Sequence, residues 1–330
     1  MDVQTRLDRG PPDGRRVDRR LQSRGIPRRQ KSPAHAPASG RLDAAAPVRS
    51  LVGAPSQRRV LLDDEWWTVV HRADSPHGPI QVVELREDNG LLRRRCLHGG
   101  LVQNTYAPQR RQSLSHFAGA LLGLARAYTP RIEQALCIGL GAGIVPRELA
   151  KLGVAVEVVE INPVMAAVAT AYFDFDPGAV SMAFGDGREF VAASSQQYDA
   201  VLLDAFMDGD IPRHLVTVEA LAEVKRHLRP DGVLVINAFG ETSAARRESA
   251  AQLDRTLRRV FASTAVVQHA SGVGNVFFVA TPRPLLQSFR EPDFSGEHPE
   301  LQFELMLMWQ GVRPAISKAG SVYTDAELRR

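Results

Sequence analysis

The chain has 330 residues, of which 44% are hydrophobic and 24% charged, and its formal net charge is +4. This length suits one large domain or two small ones, and the composition is that of an ordinary globular protein. Residues 1–60 carry a local charge of +9, which leaves about −5 for the remainder. The body therefore gives no reason to expect a nucleic-acid partner, and a mildly acidic body suits basic substrates such as amines.

Cysteine use and hydropathy indicate a cytoplasmic protein without a membrane partner. Cys96 and Cys137 are the only cysteines, which excludes a disulfide framework and favours a reducing compartment. No apolar run approaches transmembrane length, and the N-terminus lacks the apolar core of a secretory signal. Residues 1–55 are rich in Arg, Pro, Ser and Ala and show no periodicity, so we predict a disordered leader there.

Short β-like runs follow the leader. The segments 58–72, 79–87 and 91–104 are separated by the turn sequences SPHGP and EDNG. This pattern predicts a small antiparallel β-sheet domain over residues 56–110.

From residue 111 to residue 285, helical and strand patterns alternate. A helical pattern at 113–128 precedes an apolar strand that enters GLGAG, and four further strands then alternate with helices. The last two β runs lie too close for a crossover helix, so they predict an antiparallel hairpin. We therefore predict an α/β, class I S-adenosylmethionine-dependent methyltransferase-like Rossmann fold with a seven-stranded sheet. Residues 286–330 are predicted to form a C-terminal extension that packs on this domain.

The glycine loop is the first candidate ligand site. Gly139, Gly141 and Gly143 follow an apolar strand, and Glu160 ends the next strand 21 residues after Gly139. A glycine turn lets the backbone approach a nucleotide, and an acidic residue at the next strand tip can hold ribose hydroxyls. The alternative role for Glu160 is a helix cap.

Aspartates follow the third and fourth strands of the predicted sheet. Asp186, next to Gly187 in GDGREF, is a candidate acceptor for an adenine amino group, or else a plain turn residue. Asp204 follows four apolar residues, so it should emerge over the reacting part of the ligand, where it can accept a proton from an amine. Asp208 and Asp210 follow in MDGDIP and are candidates for local negative charge or for turn formation.

The segments GLGAG, VEIN, GDGREF, YDAVLLDAF and IPRHLVTVEALAEVKRHLRPDGVLVIN together resemble the polyamine aminopropyltransferases, in particular the divergent bacterial branch that is similar to spermidine synthase. The resemblance spans about residues 60–285 and includes HGGLVQN. It implies transfer of an aminopropyl group from decarboxylated S-adenosylmethionine to an amine, with Asp204 as general base. It also implies a small-molecule amine substrate, a possible homodimer and no metal. The residues that it implies for nucleotide binding are Gln103, Gly139, Gly141, Gly143, Glu160, Asp186 and Gly187.

The sequence also departs from that family. Ala142 stands where the family carries an acidic residue that meets the donor's propylamine, which weakens selection against intact S-adenosylmethionine. The second acid of the family's active-site signature is displaced by one residue, to Asp208. Tyr106 and His116 are the remaining candidates for the acceptor pocket, although a lone helical histidine is more often structural.

Two other functions stay open. A methyltransferase that uses intact S-adenosylmethionine is favoured by Ala142, and a non-catalytic nucleotide-binding protein is favoured by the missing acceptor acids. A nicotinamide-dependent dehydrogenase is disfavoured, because its fingerprint needs glycine where this chain has Ile144.

Overall fold

The computed structural model describes residues 58–207, 209–240, 244–268, 274–316 and 319–329. The predicted leader, residues 1–55, lies outside the described residues. Within the described ranges, no helix is both long enough and apolar enough to cross a membrane.

The first part of the described chain is a six-stranded antiparallel sheet in which each strand pairs with the next one along the chain. Its strands are β1 (Arg59–Leu62), β2 (Glu65–Ala73), β3 (Ile80–Arg86), β4 (Leu92–His98), β5 (Leu101–Ala107) and β6 (Gln112–Ser113). Side chains alternate between the two faces, as the period of a strand requires. Ile80 and Val82 join the main core, whereas Val83 joins a smaller cluster with Trp67 and Leu97 on the other face.

The rest of the chain forms an α/β unit. Its helices are α1 (His116–Tyr128), α2 (Ile144–Lys151), α3 (Pro163–Tyr172), α4 (Gly187–Ala193), α5 (Val218–Arg226), α6 (Ala244–Val260), α7 (Pro299–Gln310) and α8 (Asp325–Leu328). Its strands are β7 (Gln134–Ile138), β8 (Ala155–Glu160), β9 (Ser181–Phe184), β10 (Tyr198–Leu203), β11 (Leu228–Phe239), β12 (Ser263–Gln268), β13 (Asn275–Thr281) and β14 (Val312–Arg313).

These strands form one sheet in the order β14-β12-β13-β11-β10-β7-β8-β9. Strands β7 to β11 are parallel, and β13 is antiparallel to both β11 and β12. The predicted fold class, with its terminal antiparallel hairpin and its preceding small sheet, is confirmed. The sequence pattern did not reveal the two-residue β14, which pairs with β12 and makes the sheet eight-stranded.

Buried side chains cover both faces of the large sheet. Alternate residues of β10 point to opposite sides, so Leu202 belongs to one core cluster and Leu203 to the other. Helix α7 adds Leu301, Leu305 and Met308 to the first cluster. Because β7 to β11 are parallel, their carboxyl ends meet at one edge of the sheet, where ligands of such folds bind.

Candidate active site

The loop after β7 brings glycines with positive φ to the start of α2. Gly139 has φ +96°, and a Cβ there would lie 2.3 Å from the carbonyl oxygen of Asp204. Its N–H donates to the carbonyl of Val159 at 2.9 Å, so the loop lies between neighbouring strand ends. Gly141 has φ +52°, and apart from its chain neighbours no atom of a described residue lies within 4 Å of the position of a Cβ there. Packing therefore excludes a side chain at Gly139, whereas at Gly141 the backbone is open to a ligand.

Two other predicted glycines are needed for close packing. Gly143 has φ +75° and caps α2, and a Cβ there would lie 2.7 Å from the ring of Phe175. Gly187 is the first residue of α4, and a Cβ there would lie 2.5 Å from Cγ2 of Ile138. Both glycines let a helix begin against a neighbouring side chain.

Glu160 ends β8 with its side chain aimed back at the glycine loop, and the residue is only 8% exposed. Oε2 accepts from the N–H of Leu140 and Oε1 from the N–H of Asn162, each at 2.8 Å. Burial raises the pKa of Glu160, and the two backbone bonds oppose that rise. The side chain that caps α3 is Asn162, which accepts from Val164. Each carboxylate oxygen of Glu160 keeps acceptor capacity for a hydroxyl group.

Asp186 forms a second acidic group at this edge. Its Oδ1 caps α4 by accepting from the N–H groups of Arg188 and Glu189, at 2.9 and 3.1 Å. Its Oδ2 lies 2.7 Å from Nε2 of His214. Desolvation opposes ionisation, but these hydrogen bonds hold the pKa of Asp186 below its ordinary value. Both oxygens are thus oriented by the protein.

The glycine loop, Glu160 and Asp186 surround a cavity of about 70 Å³, which we call the glycine-loop cavity. The predicted site residues that line it are Gln103, Gly139, Gly141, Glu160, Asp186, Gly187 and Asp204. His98, Met165, Phe206 and His214 complete much of its wall. The cavity therefore combines exposed loop backbone with two oriented carboxylates.

Gln103 reaches this cavity from the small sheet because β5 is irregular there. Cys96 pairs with Asn104 and Leu97 with Val102, which leaves Gln103 as the extra residue of a bulge. A bulge redirects side chains relative to the regular alternation of a strand. As a result, Val102, Gln103 and Asn104, three consecutive residues, line a cavity wall.

Asp204 follows the fully buried strand β10 and ends a chain of hydrogen bonds. Its Oδ1 accepts from Nδ2 of Asn237 at 2.8 Å, and Oδ1 of Asn237 accepts from Nδ2 of Asn275 at 2.8 Å. Burial raises the pKa of Asp204 from 3.8 to about 6, and the bond from Asn237 opposes that rise. Such a carboxylate is ionised at neutral pH and still basic enough to accept a proton.

Asp204 also lines a second cavity, of about 90 Å³, which we call the amide cavity. Four side-chain amides line it: Gln103, Asn104, Asn237 and Asn275. Its other lining residues are Val102, Phe117, Ala118, Leu140, Gly141, Ala142, Ile144, Val145, Phe206 and Phe239. The small sheet, α1, the glycine loop and the ends of β11 and β13 all contribute to it.

The two cavities have four lining residues in common: Gln103, Gly141, Asp204 and Phe206. Of these, only Asp204 carries an ionisable side chain. A group bound at the glycine loop and a group bound among the amides would therefore meet at this carboxylate.

The model of the spermine/spermidine synthase domain matches residues 114–286, from the start of α1 to beyond β13. The chain belongs to this family. The match covers the whole parallel part of the large sheet and leaves the small sheet, with Gln103, outside it. Named members of the family are transferases.

Two curated relatives differ in the group that their names say is transferred. A polyamine aminopropyltransferase of Vibrio vulnificus (strain CMCP6) is 35% identical over 201 residues, which are 59% of this chain and 65% of that protein. An N-terminal histidine N-methyltransferase of Emericella nidulans is 30% identical over 265 residues, which are 72% of this chain and 47% of that protein. The chain thus spans less than two thirds of the length of each of these relatives.

A solved spermidine synthase in complex with the transition-state analogue AdoDATO shares the fold, with a TM-score of 0.55 and 17% identity. The superposition covers 79% of this chain and 85% of that one. At 17% identity, this structural similarity supports only the fold of the chain.

The structure does not bring Tyr106 to either cavity, contrary to its predicted place in the acceptor pocket. The residue is 1% exposed, and its hydroxyl donates to Oδ2 of Asp174 at 2.6 Å and accepts from Arg147 at 2.9 Å. Tyr106 pairs with Ser113 and stays in the regular part of β5, beyond the bulge. It therefore joins the small sheet to α2 and to the segment after α3.

His116 also lies outside the lining of both cavities, although its neighbours Phe117 and Ala118 contribute to the amide cavity. It is the first residue of α1, and its ring lies 6.3 Å from that of Phe117, measured between centroids. Asp208, the third predicted acceptor residue, lies outside the described residues.

Sequence reasoning missed His98, His214, Asn237 and Asn275. His214 stands in IPRHL, and Asn237 is a polar residue inside the apolar run VLVINAF, which is a signal of a polar group at a buried strand end. Within the described residues, no group of three or more His, Cys, Asp or Glu side chains could hold a metal ion.

Proposed function

We propose that the chain transfers an aminopropyl group from decarboxylated S-adenosylmethionine to an amine, with Asp204 as general base. The observation that carries this proposal is the position of Asp204 in the walls of both cavities. In this assignment the glycine-loop cavity takes the adenosyl donor and the amide cavity takes the amine acceptor.

The donor would be held mainly by groups that the fold already orients. Glu160 accepts ribose hydroxyls with the lone pairs left over from its two backbone bonds. The open backbone at Gly141 allows the nucleoside to approach closely. Asp186, oriented by His214, meets the adenine amino group. No reorganisation of these groups is needed on binding, which favours a productive geometry.

The transfer is an in-line substitution at carbon. An acceptor ammonium group gives one proton to the carboxylate of Asp204, and the freed nitrogen lone pair forms a bond to the methylene carbon beside the sulfonium. The carbon–sulfur bond breaks, its electron pair goes to sulfur, and methylthioadenosine leaves as a neutral thioether. Because burial raises the pKa of Asp204 to about 6, the carboxylate is ionised above that pH and can accept this proton.

The test is the release of methylthioadenosine by the purified full-length chain. Decarboxylated S-adenosylmethionine is supplied with a panel of monoamines, diamines and longer polyamines, and the product is quantified by chromatography. We expect release that depends on the amine. Absence of release with every amine would contradict the proposal.

Methyl transfer from intact S-adenosylmethionine is the second candidate, and Ala142 favours it. Ala142 is buried at the wall of the amide cavity, so an apolar methyl group lies where the resemblance would place an acid. The Emericella nidulans relative is also named as an N-methyltransferase. Calorimetric titration with both donor nucleotides separates the candidates, because tighter binding of the intact nucleotide would favour methyl transfer.

A further inference from the structure

The last described segment of the chain, residues 319–329, packs beside the glycine-loop cavity although it lies beyond the match to the synthase family. The carbonyl of Tyr323 accepts from the N–H of Val218 at 2.9 Å, and Tyr323 is only 6% exposed. The guanidinium of Arg213 lies 5.8 Å from the centroid of the Tyr323 ring. The segment is therefore fixed against the chain between β10 and α5, which carries His214.

Asp325, the first residue of α8, holds the side chain of Arg188 in a fixed direction. Nη1 of Arg188 donates to Oδ1 of Asp325 at 2.7 Å, and Nη2 donates to Oδ2. Two parallel bonds between a guanidinium and a carboxylate restrict the orientation of both groups. Oδ1 also accepts from the hydroxyl of the fully buried Thr217 at 2.8 Å. The hydrogen bond from Arg188 holds the pKa of Asp325 below its ordinary value, so the pair is ionised at neutral pH.

Arg188 also joins two groups that orient the carboxylate of Asp186. Its Nη1 donates to the carbonyl oxygen of His214 at 3.3 Å, and its backbone N–H donates to Oδ1 of Asp186 at 2.9 Å. The imidazole of His214 completes a ring of hydrogen bonds, with Nε2 at 2.7 Å from Oδ2 of Asp186. Asp325 holds this ring at the guanidinium, from the side away from the cavity.

We propose that Asp325 is a positioning residue of the donor site, which acts through Arg188 to fix the Asp186 carboxylate and so sets the preference for a base with an amino group. The proposal rests on the proposed function in placing that amino group at Asp186. A carboxylate that is already fixed loses little conformational freedom when it accepts a hydrogen bond from a ligand. Asp325 does not line the cavity, so its effect must pass through the ring of hydrogen bonds.

The test compares two nucleosides, 5′-methylthioadenosine and the 5′-methylthio derivative of purine riboside, which carries hydrogen in place of the amino group. Each is titrated by calorimetry into the full-length chain. We expect the wild type to bind methylthioadenosine about tenfold more tightly, as one hydrogen bond to a charged acceptor provides. Equal binding of the two nucleosides by the wild type would overturn the proposal.

Asp325→Asn should reduce this preference. The amide keeps one oxygen for Arg188 and Thr217 and loses the second acceptor, so the guanidinium is no longer held by two bonds. We expect the binding ratio to fall to about threefold or less, through weaker binding of methylthioadenosine, while the purine riboside stays within about twofold. A role in stability alone would leave the ratio unchanged, and an unchanged ratio would overturn the proposal.

Two further variants test the route and the charge. Arg188→Lys keeps the positive charge, but an ammonium group lacks the planar fork that bonds both oxygens of Asp325, so the ratio should fall as in Asp325→Asn. This variant also carries the test if Asp325→Asn does not fold, and a wild-type ratio in it would overturn the proposal. Glu327→Gln removes a charge from an exposed position of the same helix and should leave the ratio as in the wild type.

A double variant tests whether the effect reaches the ligand through Asp186. Asp186→Asn should by itself remove the preference for the amino group, because an acceptor with negative charge is lost. If Asp325 acts through Asp186, then adding Asp325→Asn leaves the ratio unchanged, since the two substitutions affect one interaction. A further change of the ratio in the double variant would overturn the proposal.

Turnover separates this proposal from the proposed function. If neither nucleotide donor gives product with any amine, the proposed function fails, but the nucleoside ratio still decides the role of Asp325. If product forms, Asp325→Asn should raise KM for the donor about threefold and leave kcat within about twofold, because Asp204 is held separately by Asn237. A large fall in kcat with an unchanged KM would overturn the positioning role and leave the proposed function standing.

Discussion

The glycine-loop cavity and the amide cavity are built in different ways. In the first, carboxylates at the ends of parallel strands are fixed by backbone N–H groups, as Glu160 is by Leu140 and Asn162. In the second, side chains converge from the small sheet, from α1 and from the ends of β11 and β13. The first construction follows from the fold, whereas the second depends on which residues each segment happens to carry. Members of one family can therefore share a donor site and differ in acceptor, and the predictions below probe that division.

The largest effect is expected where the cavities meet, in Asp204→Asn. The amide keeps an oxygen that can accept from Asn237 but cannot take a proton from the acceptor. We expect kcat to fall by about 10²–10⁴-fold, the usual contribution of a general base. Binding of methylthioadenosine should stay within about twofold, as calorimetry would show.

A matched control for this variant is Asp210→Asn, because Asp210 lines neither cavity. In the wild type, kcat/KM should decrease as the pH falls through about 6, where Asp204 takes up a proton. If Asp204→Asn kept nearly full activity, Asp204 would not be the general base, and its position in the walls of both cavities would have no catalytic role.

Gly139→Ala should distort the glycine loop and lower the free energy of unfolding. The new Cβ would lie 2.3 Å from the carbonyl oxygen of Asp204, at a φ of +96° that L-residues rarely adopt. Overpacking and the positive φ together should cost about 2–5 kcal/mol of unfolding free energy. The new Cβ of Gly141→Ala meets no described residue within 4 Å beyond its chain neighbours, so this variant should cost only about 1–2 kcal/mol. Urea denaturation measures both, and equal losses would contradict the assigned roles.

Glu160→Gln should weaken ligand binding in the glycine-loop cavity and leave ligand binding in the amide cavity unchanged. Loss of the charged acceptor for ribose hydroxyls should weaken binding of methylthioadenosine about 10- to 100-fold, as expected for one or two charge-assisted hydrogen bonds. Binding of the amine acceptor should change by less than about twofold, because Glu160 does not line the amide cavity. Equal weakening of both ligands in titrations would show that the cavities are not independent.

The same division explains which site residues can be predicted from the sequence. Spacing in the sequence predicts the positions of the glycine loop and Glu160, because both lie at the ends of adjacent strands, β7 and β8, whose positions follow from local pattern. His214 and Asn237 contact their carboxylates across 28 and 33 residues, so their roles appear only when the chain has folded.

The small sheet shows a second limit of sequence patterns. The sequence predicts Tyr106 in the acceptor pocket, but Val102, Gln103 and Asn104 at the bulge line the amide cavity, and Tyr106 stays in the regular part of the strand. No sequence pattern in LVQNTYA announces that bulge, because it arises from pairing with β4. The acceptor side of the site is thus the part that depends most on tertiary structure.

The smallest expected effect concerns the free energy of unfolding that is lost because the carboxylate of Asp204 is buried. Because the pKa of Asp204 is about 6 in the folded protein and 3.8 ordinarily, the folded state holds the proton more tightly than the unfolded chain does. The wild-type free energy of unfolding should therefore fall as the pH rises from about 4 to 6, and stay lower above that range. Asp204→Asn lacks this loss and should be more stable than the wild type by about 1–3 kcal/mol at pH 8, with a smaller difference near pH 4. Asp231→Asn, at an exposed position near the start of β11, should change stability by less than about 0.5 kcal/mol. If Asp204→Asn were instead less stable at pH 8, the charged carboxylate would be a stabilising group, and its raised pKa could not be the basis of its role as a base.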